Sequence, residues 1–287
     1  MPGFDRRRLL VLSLSGAALT AMATPGFARQ AAPTAPTAPV ANRYGADPLQ
    51  SYDLYPGPGN GPILMFVHGG GWKRGENTMV NGLPDYARRH GLTLASASYR
   101  LVPTVGAREE AQDLASAIAD LHRRLPDRPI FLLGHSAGAH LAALVGVDPA
   151  YLGEHGLKPS DLSGIILLDG AGYDATGPRG PGLVGRALDQ MYDAAFGPEG
   201  SPARAELSPT LRIQTGRTYP PFLIFYVASR QDSAAQSQAL ADALTRAGSQ
   251  AEVVAAPGET HMTINRSFGV VGDPEGERGA RFIADES

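Results

Sequence analysis

Short apolar runs along this chain alternate with longer stretches in which apolar residues recur every three or four positions. Apolar runs of five to seven residues bounded by glycine or proline predict strands that are buried on both faces. The predicted strands cover residues 63–67, 92–98, 130–134, 164–169, 222–228 and 251–255, and the predicted helices cover 78–90, 107–125, 137–146, 233–247 and 275–284. Strands that alternate with helices indicate an α/β fold, with a mostly parallel sheet that carries helices on both faces.

Residues 134–138, Gly-His-Ser-Ala-Gly, join the predicted strand 130–134 to the predicted helix 137–146. A serine in a tight strand-to-helix turn leaves no room for a β-carbon two residues before or after it, which explains the flanking glycines. The pattern predicts that the hydroxyl of Ser136 stands above the sheet edge as a nucleophile. The alternative is that Gly134 only ends the strand and Ser136 only caps the helix.

A second glycine-rich motif, His-Gly-Gly-Gly-Trp at residues 68–72, directly follows the predicted strand 63–67. Glycines let the backbone approach closely and aim several N–H groups at one point. The amides of Gly70, Gly71 and Ala137 are therefore predicted to hold the oxygen that becomes negative during acyl transfer.

Together these motifs resemble those of the α/β-hydrolases, and within them esterases with an HGGG loop. The resemblance is to the branch with kynurenine-formamidase-like enzymes and bacterial feruloyl-esterase-like carboxylesterases. It spans about residues 43 to 285 and is carried by segments 52–56, 68–72, 99–101, 134–144, 236–240, 261–265 and 272–273. It implies an α/β-hydrolase fold and a Ser-His-Asp catalytic triad.

The resemblance also indicates which residues serve as base and acid. In this fold the base lies on the loop after the last strand, where His261 follows strand 251–255. Asp232, four residues after strand 222–228, is predicted to accept the Nδ1 proton of His261. Asp232 also suits the N-cap of the following helix. The rival acid is Asp169, at the end of strand 164–169.

Residues 171–219 are rich in glycine, proline and arginine and match the resemblance least well. An insertion over the carboxyl edge of a sheet usually covers the pocket, and residues 183–196 fit a helix in such a cap. A plain solvent loop is the alternative. The expected pocket side chains, which favour a small or aromatic substrate, are Trp72, Tyr173, Tyr192 and Phe196.

The N-terminus has the pattern of an export signal. Three arginines at 6–8 precede an apolar stretch from 9 to 23, and the segment Gly-Phe-Ala at 26–28 places small residues where a signal peptidase would read them for cleavage after Ala28. The arginines followed by two leucines resemble a twin-arginine signal; general secretion and an uncleaved anchor are the alternatives. We expect a signal at 1–28, a Pro/Ala/Thr linker at 29–42, a hydrolase domain at 43–287, and a periplasmic or secreted bacterial protein.

Composition excludes several function classes. Removing residues 1–28 changes the net charge from −3 to about −5, which argues against nucleic acid or an anionic membrane as a partner. The chain has no cysteine, so disulfides and thiolate chemistry are excluded. The sequence has no spacing typical of metal ligands and no nucleotide-binding motif, so we expect neither a metal nor a cofactor.

The favoured function is hydrolysis of small or aromatic carboxylic esters through an acyl-enzyme. An arylformamidase that cleaves an N-formyl amide is the alternative, although the export signal weighs against its usual cytosolic substrate. A non-catalytic binding protein on the same fold is the third hypothesis, disfavoured because competent residues occupy every expected catalytic position.

Overall fold

The apolar runs form strands at the center of the computed structural model, which describes residues 38–177 and 182–287. Within these residues one eight-stranded sheet has the order β1-β2-β4-β3-β5-β6-β7-β8. Its strands are β1 (Val40–Arg43), β2 (Ser51–Tyr55), β3 (Ile63–Val67), β4 (Thr93–Ala97), β5 (Ile130–His135), β6 (Gly164–Leu168), β7 (Phe222–Val227) and β8 (Ala251–Ala256). Strands β3 to β8 pair in parallel, and β1 and β2 are added antiparallel to them.

Helices cover both faces of the sheet, as the alternating pattern predicts. They are α1 (Leu83–Arg89), α2 (Ala107–Arg124), α3 (Ala137–Val147), α4 (Pro149–Gly153), α5 (Gly182–Phe196), α6 (Pro202–Glu206), α7 (Pro209–Arg212), α8 (Gln231–Arg246), α9 (Thr263–Ser267) and α10 (Pro274–Asp285), with a 3-10 turn at Pro159–Asp161. Two apolar clusters, one on each face, bury β3, β5, β6 and β7 between them. The α/β prediction is confirmed.

Parallel pairing brings several strand ends to one edge of the sheet. Strands β3, β5, β6, β7 and β8 are consecutive neighbours, so their carboxyl ends lie side by side. The loops that follow β3, β5, β6 and β8 carry the glycine-rich motif, Ser136, Asp169 and His261 respectively. This edge of an open parallel sheet is where ligands of α/β proteins usually bind.

The sequence pattern missed the antiparallel edge of the sheet and overestimated one helix. Strands β1 and β2 are short and partly exposed, so they lack the continuous apolar run that identifies a buried strand. Residues 40–42, predicted as the end of the linker, pair with β2. The predicted helix 78–90 forms only at Leu83–Arg89, with a proline in its first turn, since proline suits the start of a helix.

The predicted signal at 1–28 and most of the predicted linker lie outside the described residues. Within the described ranges, no helix combines the length and apolar character needed to cross a bilayer. The helix predicted in the cap forms as α5. Residues 178–181 of the cap lie outside the residues that the structure describes.

Helix α2 buries an acidic side chain that its apolar periodicity does not explain. Glu110 is fully buried, and neither carboxyl oxygen finds a hydrogen-bond partner of good geometry. Burial is the main reason that the pKa of Glu110 is raised to about 9. The nearby Val102 N–H lowers this pKa, and the negative charges of Asp113 and Glu109 raise it further. A buried carboxyl that keeps its proton avoids the larger cost of a buried charge.

We predict that Glu110→Gln removes a pH dependence of stability. The unfolded chain releases this proton above its ordinary pKa of 4.5, whereas the folded chain keeps it up to about 9, so wild-type stability falls as pH rises between those values. The free energy of unfolding of the variant, relative to that of the wild type, should therefore increase by up to about 1.4 kcal/mol for each pH unit in this range. Urea unfolding across this range measures the difference, with exposed Glu154→Gln as control; a difference independent of pH would contradict the assignment.

Candidate active site

Ser136 occupies a sharp turn between the end of β5 and the start of α3. Its backbone has φ 54° and ψ −119°, a conformation that a residue with a side chain rarely adopts. The Ser136 N–H donates to the carbonyl of Leu168 at 3.1 Å, which ties the turn to β6. The turn thus presents the Ser136 side chain at the sheet edge, and Ser136 lines the cavity above it.

The glycine at 138 is required by a close approach of two backbones. A β-carbon there would lie 2.1 Å from the carbonyl oxygen of Val67 at the end of β3. Only glycine lets α3 begin this close to β3, the strand that leads into the glycine-rich motif. The elbow and the motif are therefore held side by side.

His261 lies on the loop after β8 and faces Ser136. The Nε2 atom of His261 is 3.0 Å from Ser136 Oγ. A neighbouring ring fixes the backbone here, because His135 Nε2–H donates to the carbonyl of His261 at 2.7 Å. Burial, followed by the proximity of His261, lowers the pKa of His135 to about 4, so His135 is neutral near pH 7 and acts as a donor.

The carboxylate that contacts His261 belongs to Asp169, directly after β6. Its Oδ2 lies 2.6 Å from His261 Nδ1, while its Oδ1 accepts from the Val227 N–H at 3.0 Å and from Ser233 Oγ at 2.6 Å. Arg230 Nη1 contacts the same Oδ2 and lies 2.8 Å from His261 Nδ1. Because Asp169 accepts from His261, the His261 Nδ1 carries the proton and Nε2 is free to accept one.

The electrostatics of Asp169 favour the ionised form. Burial alone would raise its pKa, but the hydrogen bonds from His261, Ser233 and the Val227 N–H, together with the charge of Arg230, outweigh that effect. They hold the pKa of Asp169 well below its usual range. The side chain is fully buried, so these donors replace the water that it gives up.

The structure corrects the predicted partner of His261. Asp232 was expected to accept the Nδ1 proton, but its side chain is 66% exposed and pairs with Arg230 at 3.2 Å in the first turn of α8. Arg230 lies between Asp232 and the imidazole, and the rival Asp169 makes the contact. The sequence feature that could have identified the acid was the position of Asp169 at the carboxyl end of β6, next to β7 in the sheet. No sequence pattern indicated that Ser233 and Arg230 would contact Asp169.

The glycine-rich motif turns back on itself beside Ser136. Gly70 has φ 131°, and a β-carbon there would lie 1.9 Å from the carbonyl oxygen of Arg74, so glycine is required. Gly70 and Gly71 line the same cavity as Ser136, and Ala137 begins α3 immediately after it. Among hydrogen bonds within the described chain, the amides of Gly70, Gly71 and Ala137 donate none.

The ring of His68 anchors the start of this motif. His68 is buried and stacks on Tyr99 with 4.3 Å between ring centroids, and the Tyr99 hydroxyl donates to the carbonyl of His68 at 2.7 Å. Burial lowers the pKa of His68 to about 4, and its neutral ring donates from Nδ1 to the carbonyl of Gly69 at 2.8 Å. The first motif histidine is thus a support for the loop.

The cavity above Ser136 has a volume of about 1010 Å³ and is walled mainly by apolar side chains. Trp72 lines it as predicted, but Tyr173, Tyr192 and Phe196 do not; they are buried in the core. On α5, Tyr192 and Phe196 are one helical turn apart and both face other buried side chains, as core residues do. The cap instead contributes the smaller or flexible side chains of Ala187, Leu188, Gln190, Met191 and Ala194.

One buried histidine connects the cap, α3 and the glycine-rich motif. His140 Nε2–H donates to the carbonyl of Leu207 in the cap at 2.7 Å, and Trp72 Nε1–H donates to His140 Nδ1 at 3.3 Å. Burial lowers the pKa of His140 to about 4, which keeps the ring neutral and able to make both contacts. Tyr192 and Phe196 pack edge-on against the same Trp72.

Three carboxyl groups gather behind the His261 loop, where sequence spacing predicted no metal ligands. Glu259, Asp273 and Glu275 place one oxygen each within 4.8 Å of one another. Asp273 already caps α10 by accepting from the Gly276 N–H at 2.7 Å, and burial raises the pKa of both Asp273 and Glu275. Within this cluster Asp273 therefore serves as the cap of α10.

Comparison with known proteins identifies the fold family. A family model described as alpha/beta hydrolase fold matches residues 64–265. A probable isoprenylcysteine alpha-carbonyl methylesterase of Arabidopsis thaliana is 28% identical over 77% of this chain and 50% of that protein. A kynurenine formamidase of Meyerozyma guilliermondii is 35% identical over 46% of this chain and 52% of that protein. The chain therefore spans about half the length of these curated relatives.

Solved esterase structures share the fold. Esterase B of Lactobacillus rhamnosis superposes with a TM-score of 0.68 at 23% identity, covering 88% of each chain. An esterase of Thermogutta terrifontis with bound butyrate gives a TM-score of 0.64 at 23% identity, covering 87% of this chain and 92% of that chain. At these identities the likeness concerns the arrangement of strands and helices.

We predict that His140→Ala loosens the cap and disturbs the glycine-rich motif. The variant leaves the Leu207 carbonyl and Trp72 Nε1 without partners and creates a cavity, at a cost of about 2–4 kcal/mol. Trp72 is the single tryptophan of the chain, so its emission reports the same site. Urea unfolding followed by tryptophan fluorescence should show a lower midpoint and a native emission shifted to longer wavelength. Exposed His155→Ala is the control, and an unchanged midpoint for His140→Ala would refute the link.

Proposed function

This chain belongs to the alpha/beta hydrolase fold family, and we propose that it is a serine hydrolase that cleaves carboxylic esters through an acyl-enzyme. The observation that supports this most is the continuous chain of contacts from Ser136 through His261 to Asp169, with separations of 3.0 and 2.6 Å. A serine hydroxyl is a weak nucleophile unless a positioned base takes its proton. The ring of His261 has the orientation that this task requires.

The first half of the reaction forms an ester on the enzyme. His261 Nε2 takes the proton of Ser136 Oγ as the oxygen attacks the substrate carbonyl carbon. The tetrahedral intermediate then collapses, the bond to the alcohol oxygen breaks, and His261 gives its proton to that leaving oxygen. Asp169 holds Nδ1–H in place throughout and stabilises the transient imidazolium.

The amides of Gly70, Gly71 and Ala137 are proposed to receive the negative oxygen of the intermediate. Each backbone N–H is fixed before substrate arrives, so little reorganisation is needed as charge develops. Their lack of partners within the described chain supports this role. In the second half of the reaction, water attacks the acyl carbon and loses its proton to His261. The bond to Ser136 Oγ then breaks, the acid leaves, and His261 returns the proton to Ser136.

The names of the relatives support an ester substrate and also supply the second candidate. A methylesterase and solved esterases are among the similar proteins, which favours cleavage of a C–O bond. The similar kynurenine formamidase favours an arylformamidase, in which the same residues would cleave a formyl C–N bond. The methylesterase match extends over 77% of the chain, against 46% for the formamidase.

Export of the protein is part of the proposal. The basic residues 6–8, the apolar stretch 9–23 and the small residues Gly26 and Ala28 support a cleaved signal, of the twin-arginine type by its paired arginines. The mature enzyme would then act outside the cytoplasm, where a chain without cysteine is insensitive to thiol oxidation.

We predict that Ser136→Ala lowers the hydrolysis of p-nitrophenyl butyrate by at least about 10⁴-fold, because the attacking atom is removed. The same assay with N-formylkynurenine determines whether ester or formamide is the better substrate. Ser160→Ala, at an exposed serine, should hydrolyse the ester at the wild-type rate. Equal rates for Ser136→Ala and the wild type would eliminate the proposed nucleophile.

We predict opposite outcomes for the two aspartates. Asp169→Asn should reduce kcat by up to about 10⁴-fold, since an amide no longer enforces the Nδ1–H tautomer of His261. Asp232→Asn should remain within about threefold of the wild type, because an exposed ion pair contributes little. Steady-state kinetics on the same ester compares them. A loss in Asp232→Asn that matches the loss in Asp169→Asn would restore the acid expected from the sequence.

A further inference from the structure

Among the described residues that line the cavity, the charged side chains are all of one sign. Among the described lining residues the full cations are Lys73, Arg74 and Arg230, and no aspartate or glutamate is present. This contrasts with the chain as a whole, whose net charge is −3. A cleft with apolar walls and charge of one sign concentrates the electric field at its opening.

Arg230 is not available to a ligand as a free charge. It contacts the buried carboxylate of Asp169 and pairs with Asp232 at 3.2 Å. Its positive charge is therefore balanced within the protein. The uncompensated charge at the cavity belongs to the other two side chains.

Lys73 and Arg74 are exposed and pair with no carboxylate in the described part of the chain. Their backbones are fixed next to the proposed oxyanion amides, because the N–H groups of both residues donate to the carbonyl of Gly70 at 3.3 and 3.2 Å. The nearest acidic residue along the chain, Glu76, accepts from the Thr78 hydroxyl at 2.8 Å. Lys73 and Arg74 thus line the cavity of Ser136, and their backbone is held in place by the glycine-rich motif.

We propose that this cavity selects esters that carry a carboxylate, recognised by Lys73 and Arg74. The inference rests on the proposed esterase function and extends it to a substrate class. A carboxylate gains charge-assisted hydrogen bonds from the two side chains, while the apolar part of the substrate packs against Leu188, Met191 and Met262. A neutral ester of the same shape has only the apolar contacts.

The test compares esters that differ only in charge. For a carboxylate on the leaving group, 4-acetoxybenzoate is paired with 4-acetoxybenzamide; for a carboxylate on the acyl group, monophenyl glutarate is paired with phenyl glutaramate. In low-salt buffer, kcat/KM should favour the anionic member of at least one pair by about tenfold or more. The preference should shrink as ionic strength rises, because exposed charges are screened.

Matched variants assign the preference to the two residues. Lys73→Gln combined with Arg74→Gln should lower the anionic-to-neutral ratio of kcat/KM by about tenfold, mainly through KM of the anionic ester. The control combines Arg246→Gln with Arg281→Gln, which removes the same charge from exposed positions on α8 and α10 and should leave the ratio unchanged.

The outcomes separate this inference from the function on which it rests. Hydrolysis of the neutral esters without preference for either anionic partner overturns the inference and leaves the esterase proposal standing. An equal fall in the ratio for both double variants also overturns it, because it would show an effect of net charge alone. Failure of the wild type to hydrolyse any of the four esters rejects the proposed function itself.

Discussion

The arrangement of the loops at the carboxyl edge of the sheet depends on a buried negative charge at the end of β6. Asp169 gives up its hydration, so it must collect donors from the surrounding chain, and it draws them from β7, from α8, from Arg230 and from the imidazole of His261. One carboxylate therefore fixes the relative positions of three segments. The orientation of the His261 ring toward Ser136 depends on these contacts.

Three neutral histidine rings hold the loops around Ser136, two of them at the glycine-rich motif and one at the His261 loop. His68, His135 and His140 are all buried, and burial lowers the pKa of each to about 4. Each ring donates one hydrogen bond to a backbone carbonyl that would otherwise be unsatisfied. Four of the seven histidines of the chain thus lie on the loops and helix around Ser136, and among them His261 contacts the serine oxygen.

Local chemistry made the sheet, the elbow and the glycine-rich motif predictable. Residues 63–67 and 130–134 are continuous apolar runs, and Gly138 is required by a contact that the motif itself implies. The acid was harder, because Asp232 follows β7, the direct neighbour of β8, and nothing in the sequence shows that its side chain turns to Arg230 and leaves the contact with His261 to Asp169. The rings of Tyr192 and Phe196 were misjudged for a related reason: spacing along α5 does not say which face the rest of the chain will cover.

The backbone of Ser136 has a consequence for how such a chain can evolve. A residue with a side chain at φ 54° costs stability that glycine would not, so glycine is the replacement that a requirement for folding alone would favour. That replacement would remove the hydroxyl that we propose as the nucleophile. Selection for stability and selection for activity therefore favour different residues at this position. We expect a homologue with glycine there to be more stable and catalytically inactive.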